Sequence, residues 1–595
     1  MILTDFWFNI GGGDGFHTQN DPTDWRTAYC ESQGGSVMRV NVETRETKSI
    51  RPTQMTVVNY KDYYPDKPAE KPTAKPGAKP AAKPTAKPPA PGAKPAAKTE
   101  PVPSPEQAMM AMAGRQAGPF RFNWSTPIFM SPHNARTIYF GGNHLFRSMD
   151  RGDKWMIISP DLTTNDKTKY APDSADVAAI VKAKHLPDKP SGGITRDVTG
   201  AENYCTIITI SESPLVPGLI WVGTDDGNVQ LTRNGGTTWT NVRAAIPLVP
   251  KGIWVSRVDA SHFDAGTCYV TFDGHRSDDF HTYVFKTTDY GKTWTDIKSN
   301  LPEGQPVYVI REDLKNKDLL FLGTEYGVFF SRDGGKAWSS LSLNLPTVPV
   351  HDLLIHPRDN DLIAATHGRG IWIMDDITAL RGATDSILGQ DVVLFDVSKP
   401  GTRWLQIGRG GYSRGDLFFK GENPPVGALL HIYLKAKPEK PGTLEISDAT
   451  GALKTTYILD AADSGINRIA WDLRFDPPPQ TVQGMVSNLK KQIEAALLRT
   501  DLTAEQKTAL QNAQSTLAQY GTNFRKFTEV QRSIMSIIRS GMGGFPGGGM
   551  GFGGRGQGGQ LAEPGVYLIK LTVGGKTYSG KVSVRLDPIQ AAAGN

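Results

Sequence analysis

Between Gly118 and Ile377 apolar and polar positions alternate in short runs, each closed by Gly, Asp, Asn or Pro. That is the period-two pattern of strands, not the 3.6-residue period of helices. One segment shows the unit. "IWVSRVDA" (Ile253 to Ala260), "CYVTF" (Cys268 to Phe272), "TYVFKTT" (Thr282 to Thr288) and "TWTDI" (Thr293 to Ile297) predict four consecutive strands in a meander. One such sheet cannot bury both faces, so neighbours must stack on it. The pattern returns in "LIWVGT", "VQLTR", "TWTNV", in "LLFLGT", "GVFFSR", "AWSSL", and in "DLIAAT" and "GIWIMDD". Radial stacking of four-stranded sheets predicts a β-propeller.

The turn between third and fourth strands is written almost identically four times: Ser148-x-Asp150-x-Gly152-x-x-Trp155, Thr232-x-Asn234-x-Gly236-x-Thr238-Trp239, Thr287-x-Asp289-x-Gly291-x-Thr293-Trp294 and Ser331-x-Asp333-x-Gly335-x-x-Trp338. The Asp or Asn side chain can cap turn amides, Gly supplies the unusual backbone angle, and Trp can anchor on the neighbouring sheet. All four copies are read as architecture. They lie 84, 55 and 44 residues apart, so insertions enlarge the earlier sheets.

Beyond Ala379 the pattern changes. "VGALLHIYLKA", "GTLEISDATGALKTTYI", "GINRIAWDLRF" and "PGVYLIKLTVGGKTYSGKVSVRLDP" predict an immunoglobulin-like β-sandwich. Between its parts, Leu489, Ile493, Ala496 and Leu497, then Leu510, Ala513 and Leu517, fall at helical spacing, with Asp501 and Thr503 placed to cap the second helix. The expected chain is all-β: a partial or about seven-bladed propeller, then a sandwich interrupted by a helical hairpin. Its expected parts are 1–60, propeller blades; 61–117, a Pro/Ala/Lys-rich insertion; 118–385, further blades; 386–479, the first part of the sandwich; 480–540, the hairpin; 541–560, a Gly-rich loop; and 561–595, the last sandwich strands.

Composition agrees with this. A chain of 595 residues exceeds one hydrophobic core, and 38% hydrophobic residues with 63 Gly and 42 Pro suit a turn-rich β protein. No window approaches the roughly 18 apolar residues of a transmembrane helix, and "MILTDFWFNI" lacks the basic start and apolar run of a signal peptide. The net charge is +6, but seven lysines lie between Lys71 and Lys98 with no acid among them, and removing them leaves −1. A nucleic-acid surface is not indicated. That Pro-Ala-Lys tract is expected to be an extended, solvated spacer. Cys30, Cys205 and Cys268 are too scattered for a disulfide framework or a metal motif, and read as buried thiols.

A meander fixes which loops share a face: with the Trp-bearing turns on one rim, the turns between second and third strands and the blade connections converge on the other. Those turns hold Asn143 and His144; Asp225 and Asp226; Asp273, His275 and Arg276, with Asp278 and Asp279; Glu325 and Tyr326; and His367 and Arg369. The connections add Asp14, His17, Asn123 and Trp124. Facing carboxylates beside an aromatic ring are what glycoside hydrolysis requires; Asp14, whose place before an inner strand loosely resembles that of a catalytic carboxylate in family 74 glycoside hydrolases, and Glu325 or Asp225 as its counterpart are the acid/base candidates. Asp and Gly also make tight turns, and that reading outweighs the catalytic one at each carboxylate. His275, His281 and the flanking acids are a possible divalent-cation set, although their spacing is not diagnostic and a hydrogen-bonded loop is favoured. There is no phosphate-cradling glycine loop, Ser-His-Asp signature or zinc motif, so no metal or cofactor is assigned.

The repeated turn resembles the Asp-box, or BNR, repeat of sialidases, family 74 glycoside hydrolases and the sortilin (VPS10) ectodomain. The longer phrases "GGGDGFHTQNDPTD", "RFNWSTPIFMSPHNARTIYFGGNHLFRSMDRGDKW", "DGHRSDDFHTYVFKTTDYGKTW" and "ATHGRGIWIMDDI" resemble bacterial sortilin-N-terminal-like proteins often labelled glycosyl hydrolases. The resemblance covers most of residues 1–380. It implies a secreted or periplasmic propeller that binds a glycan or peptide, or alternatively a glycosidase acting on polysaccharide. It also implies that Met1 opens inside a propeller. The sialidase version, with three arginines and a Tyr–Glu pair, is met only by Arg276 and Arg369.

Overall fold

The computed structural model describes residues 8–65, 120–170, 203–404, 425–539 and 559–587. The Pro-Ala-Lys tract and nearly all of the Gly-rich loop lie outside them. Contacts divide the chain into two units, Ile2–Ile355 with Ile363–Trp372, and His356–Leu362 with Ile373–Asn595. The division thus falls before the expected boundary at residue 385.

The first unit is a β-propeller. Its sheets are antiparallel meanders in chain order. Sheet one joins Thr18–Asn20, Thr27–Ser32, Ser36–Asn41 and Thr47–Ser49; sheet two joins Ile128–Met130, Ile138–Gly141, Leu145–Ser148 and Met156–Ile157. Sheet three joins Ile207–Glu212, Ile220–Thr224, Val229–Thr232 and Thr240–Asn241; sheet four joins Trp254–Ala260, Cys268–Asp273, Tyr283–Thr287 and Thr295–Asp296. Sheet five joins Val307–Glu312, Leu320–Thr324, Gly327–Ser331 and Ser339–Ser340, and sheet six has three strands, Val350–Ile355, Leu362–Thr366 and Ile371–Met374. The first strand of each sheet lies beside the first strands of the sheets before and after it.

The apolar cores sit between consecutive sheets, as stacking requires. Trp221, Val229 and Leu231 of sheet three meet Val255, Val270 and Phe272 of sheet four. Tyr269 and Val284 of sheet four meet Val307, Ile310, Leu320 and Leu322 of sheet five. Because both faces are covered, Ile220–Thr224 and Leu320–Thr324 are buried at every position, which is why these strands read as continuous apolar runs. Tyr139 donates to Glu212 Oε1 (3.0 Å), and Tyr269 to Glu312 Oε1 (3.1 Å), tying sheet two to three and four to five in the same manner.

The repeated turn is a clip between sheets. In the last copy Ser331 Oγ donates to Asp333 Oδ1 (2.7 Å) and accepts from Gly335 N (2.9 Å), while Asp333 Oδ1 also accepts from Ala337 N (3.0 Å). The other three copies repeat these bonds. Indole N–H groups then reach the preceding sheet: Trp155 to Ile50 O (2.7 Å), Trp239 to Ile158 O (2.9 Å) and Trp338 to Ile297 O (2.8 Å). Trp294 departs from this, donating to Gly291 O of its own turn (3.1 Å) while its ring meets Trp221 edge-on at 6.0 Å.

The second unit pairs a three-stranded sheet (Val392–Leu394, Ala428–Leu434, Gly465–Trp471) with a five-stranded one (Gly401–Arg403, Lys576–Leu586, Gly565–Val573, Gly442–Ser447, Lys454–Leu459). Leu430, Ile432, Leu444, Ile446, Trp471, Ile569 and Leu571 fill the space between them. The expected hairpin is corrected to three helices: α1 (Pro479–Leu497), α2 (Ala504–Tyr520) and α3 (Phe524–Arg539). In α3, Phe524, Phe527, Val530, Ile534 and Ile538 recur at i+3 and i+4 and pack with the predicted positions of α1 and α2. Thr503 caps α2 reciprocally with Gln506. Asp501 pairs instead with Arg499 (2.6 Å). The bundle docks on its own sandwich through Arg525, which bonds Thr455 Oγ1 (2.7 Å) and Asp472 (2.9 Å). All three cysteines are free and buried.

Candidate functional site

The heads of sheets three, five and six are built alike. The N–H of the residue after the second strand donates to the carbonyl just before the first strand: Asp225 to Thr206 (3.0 Å), Glu325 to Pro306 (3.1 Å) and His367 to Pro349 (2.9 Å). Those three residues therefore hold one structural position on three sheets; in sheet two, Asn143 N donates to Arg121 O (2.9 Å), farther from the strand ends. Two residues beyond the accepting carbonyls of Pro306 and Pro349 stand Tyr308 and His351.

Sheets four to six bring their residues together. Tyr308 and His351 stack at 4.2 Å between ring centroids, and His351 meets His367 edge-on at 5.1 Å. The His275 ring lies 6.0 Å from that of Tyr308. His275 Nδ1 sits 2.7 and 2.8 Å from the two oxygens of Asp273; since a carboxylate only accepts, Nδ1 carries a proton, and in the neutral ring Nε2 is the basic nitrogen. Asp273 is buried, His275 half-buried. The Tyr308 hydroxyl donates to Glu325, and Arg276 lies 4.1 Å above the ring of Trp254. Tyr326, next to Glu325 in sequence, is exposed. Burial pushes the Tyr308 hydroxyl up, aided by the bond to Glu325 and the charge of Asp273, with Arg276 opposing. His351 has an exposed edge, yet the protein packed around its ring lowers it, and His367 lowers it further. A Tyr–Glu pair is thus present, contrary to the sequence expectation, but its phenol is held in the protonated form.

Sheets two and three close their residues off. Asp225 Oδ1 accepts from Thr206 N (2.8 Å) and Oδ2 from Thr206 Oγ1 (2.5 Å) and Asn123 Nδ2 (3.2 Å). Burial, then the adjacent Asp226, raises it well above the usual carboxylate range. Asp226 takes Thr164 N and Oγ1, both at 2.7 Å. Asn143 Oδ1 accepts from Arg121 N (3.0 Å), and buried His144 is bound by the Tyr64 hydroxyl (2.7 Å) and Ser159 O (3.0 Å). These are saturated turn groups.

Asp14 is exposed, and no hydrogen bond or ion pair joins it, Asp225 and Glu325 to one another among the described residues. His17 lies near Arg257, Arg311 and Asp352 of the first strands; burial, then Arg257, pushes it down to about 4. Arg311 bridges Asp259 (3.1 Å) and Asp352 (2.9 Å), and Arg257 reaches Asp352 (3.0 Å). Trp124 is partly buried, its carbonyl accepting from Gly34 N (3.2 Å). Arg369 is exposed in the turn that Trp372 closes by donating to Arg369 O (3.0 Å). His281 pairs with Asp279 at 2.7 Å. Among the described residues no three His, Cys, Asp or Glu side chains are grouped to hold a metal ion. Tyr308, His351 and Trp254 were not among the expected residues, because first-strand positions read as core.

Residues 282–380, from the third strand of sheet four through sheet six, match the family model described as "Sortilin-Vps10: Sortilin, neurotensin receptor 3,". The chain is a sortilin-like propeller protein. No curated protein matches it. Solved structures similar to this sortilin-like chain include a GH74 xyloglucanase from Xanthomonas campestris, at 15% identity and TM-score 0.35, covering 62% of this chain and 53% of that one. This chain thus spans about half of that enzyme's length. A GH74 enzyme from Niastella koreensis aligns at 15% identity and TM-score 0.31, covering 75% and 66% of the two chains. YCF48 from Cyanidioschyzon merolae aligns at 12% and 0.33, covering 64% and 88%. At these values the likenesses say nothing about the chemistry of this chain. Among the described residues no helix is long and apolar enough to cross a membrane.

Proposed function

We propose that this sortilin-like propeller is an exported protein that binds a glycan or peptide at the rim formed by sheets four to six. The observation that carries the reading is a contrast between two parts of one face. Asp225, Asp226 and Asn143 spend their polar atoms on Thr206, Thr164 and Arg121 of the connections packed around them, whereas Arg276, Tyr326, His351 and His367 remain exposed beside one another's sheets. Exposed rings with an anchored cation suit the apolar faces and polar edges of a sugar or a peptide side chain. The alternative, glycoside hydrolysis by paired carboxylates, is less supported, because Asp225 is sealed by its hydrogen bonds and no hydrogen bond or ion pair joins Asp14 to a carboxylate among the described residues.

The test is binding of immobilised glycans and of a peptide library to the full chain, repeated with Arg276→Ala and Tyr326→Ala. Both variants should weaken binding at least tenfold while melting like the parent. Binding that survives both substitutions places the ligand elsewhere.

A further inference from the structure

We propose that the turn holding Asp273, His275 and Arg276 abstracts a proton beside a carboxylate, cleaving uronic-acid-containing glycans by β-elimination. This rests on the glycan form of the reading above and adds an activity to it. The two groups such a reaction needs are neighbours in the short turn His275–Ser277. The first is a base. Buried Asp273 holds Nδ1–H of His275 from both oxygens, which fixes the ring and stabilises the imidazolium formed once Nε2 has taken a proton; Nε2 has no partner among the described residues. The second is a fixed, unspent cation. Arg276 is exposed, held 4.1 Å over Trp254, and paired with no carboxylate among the described residues. A carbon acid next to a carboxylate loses its proton readily only where a positive group offsets the negative charge that develops. Exposed His351 and His367 continue from the turn through Tyr308 as surfaces for adjoining sugar rings.

The step balances without a co-reactant. His275 Nε2 takes the proton from C5 of the uronate, the freed electron pair forms the C4=C5 double bond, and the bond from C4 to the glycosidic oxygen breaks. The departing oxygen then takes the proton from the imidazolium. The products are a shortened chain with a new reducing end and a fragment ending in an unsaturated uronate.

The experiment incubates the full chain with polygalacturonate, alginate, hyaluronan and chondroitin sulfate. It reads ultraviolet absorbance of the conjugated double bond, new reducing ends and, separately, glycan binding. At least one polymer should yield absorbance and reducing ends in equal amounts, with a loss of about 100-fold or more in His275→Ala and in Arg276→Ala. Both variants are checked for the parent's melting temperature. Asp273→Asn, which keeps the shape, should lose about tenfold or more. Absorbance unchanged in His275→Ala, reducing ends without absorbance, or no product from any of the four polymers overturns the elimination. Binding retained in the last case leaves the glycan site standing; binding absent from glycans and peptides alike removes both.

Discussion

Tyr308 and His351 stack with their ring centroids 4.2 Å apart and their planes 27° from parallel, although they stand on the first strands of successive sheets. The common head geometry of the sheets produces this, by placing each two residues past a carbonyl that caps the neighbouring turn. The imidazole is held below its ordinary 6.5, by burial and then by His367, so the unfolded chain takes up a proton that the folded one resists. Stability from this group is complete above pH 6.5 and falls as acid is added below it. His351→Phe keeps a stacking ring and removes the titration. Its melting temperature should therefore fall less than the parent's on acidification, and equal slopes would show that the stack does not oppose protonation.

Two glycines at positive φ, Gly236 of a clip and Gly304 of the connection before sheet five, differ in what they touch, and their substitutions should rank accordingly. Gly236 has φ +99°, and a Cβ there would lie 2.2 Å from Ile158 O on the preceding sheet. Gly304, at φ +73°, has nothing within 4 Å of its Cβ position. Gly304→Ala costs only backbone strain, about 1 kcal/mol, whereas Gly236→Ala adds separation of two sheets and should cost several times more. Denaturant melts of the two variants check the order, and similar losses would mean that the clip glycine serves its turn alone.

The clips and much of the rim were legible because both are local. Asp289, Gly291 and Trp294 make their turn from neighbours in sequence, and Asp273, Glu325 and His367 follow strands whose ends are marked by turn residues. Tyr308 and His351 were not legible: a ring at the start of an apolar strand looks like core, and only stacking of two sheets brings the pair together. A usable signal existed, since each follows a Pro by two residues, in "PVY" and "PVH". The isolation of Asp225 was equally hidden, because Asn123, from the preceding sheet's connection, supplies one of its bonds. Helix α3 had a clear apolar period, but it runs directly into the Gly-rich stretch and is absent from the expected hairpin.

Glu31 is an internal acid whose cost depends on pH. It is buried in the second strand of sheet one, and burial pushes it up to about 9, against the partial compensation of Gly35 N at 3.3 Å, Thr126 and the charge of Arg51. The folded chain therefore keeps a proton that the unfolded chain loses above its ordinary 4.5. For an acid shifted upward, stability declines as pH rises between those values. Glu31→Gln should match the parent near the lower value and become progressively more stable than it toward pH 9. A constant difference across that range would mean that Glu31 ionises freely in the fold.

Asp225 separates an architectural acid from a chemical one. Its two oxygens accept three bonds from Thr206 and Asn123, tying the head of sheet three to the connection before sheet two. Asp225→Ala strands the Thr206 amide and hydroxyl in a buried place, at a cost of about 1–3 kcal/mol for such unsatisfied groups. Ligand binding per folded molecule should stay unchanged, because the exposed rim groups belong to sheets four to six. Melts combined with binding measurements at a temperature where the variant is fully folded make the comparison. A variant that melts like the parent but has lost its ligand, or its turnover of a polysaccharide, would return Asp225 to the site as a working carboxylate.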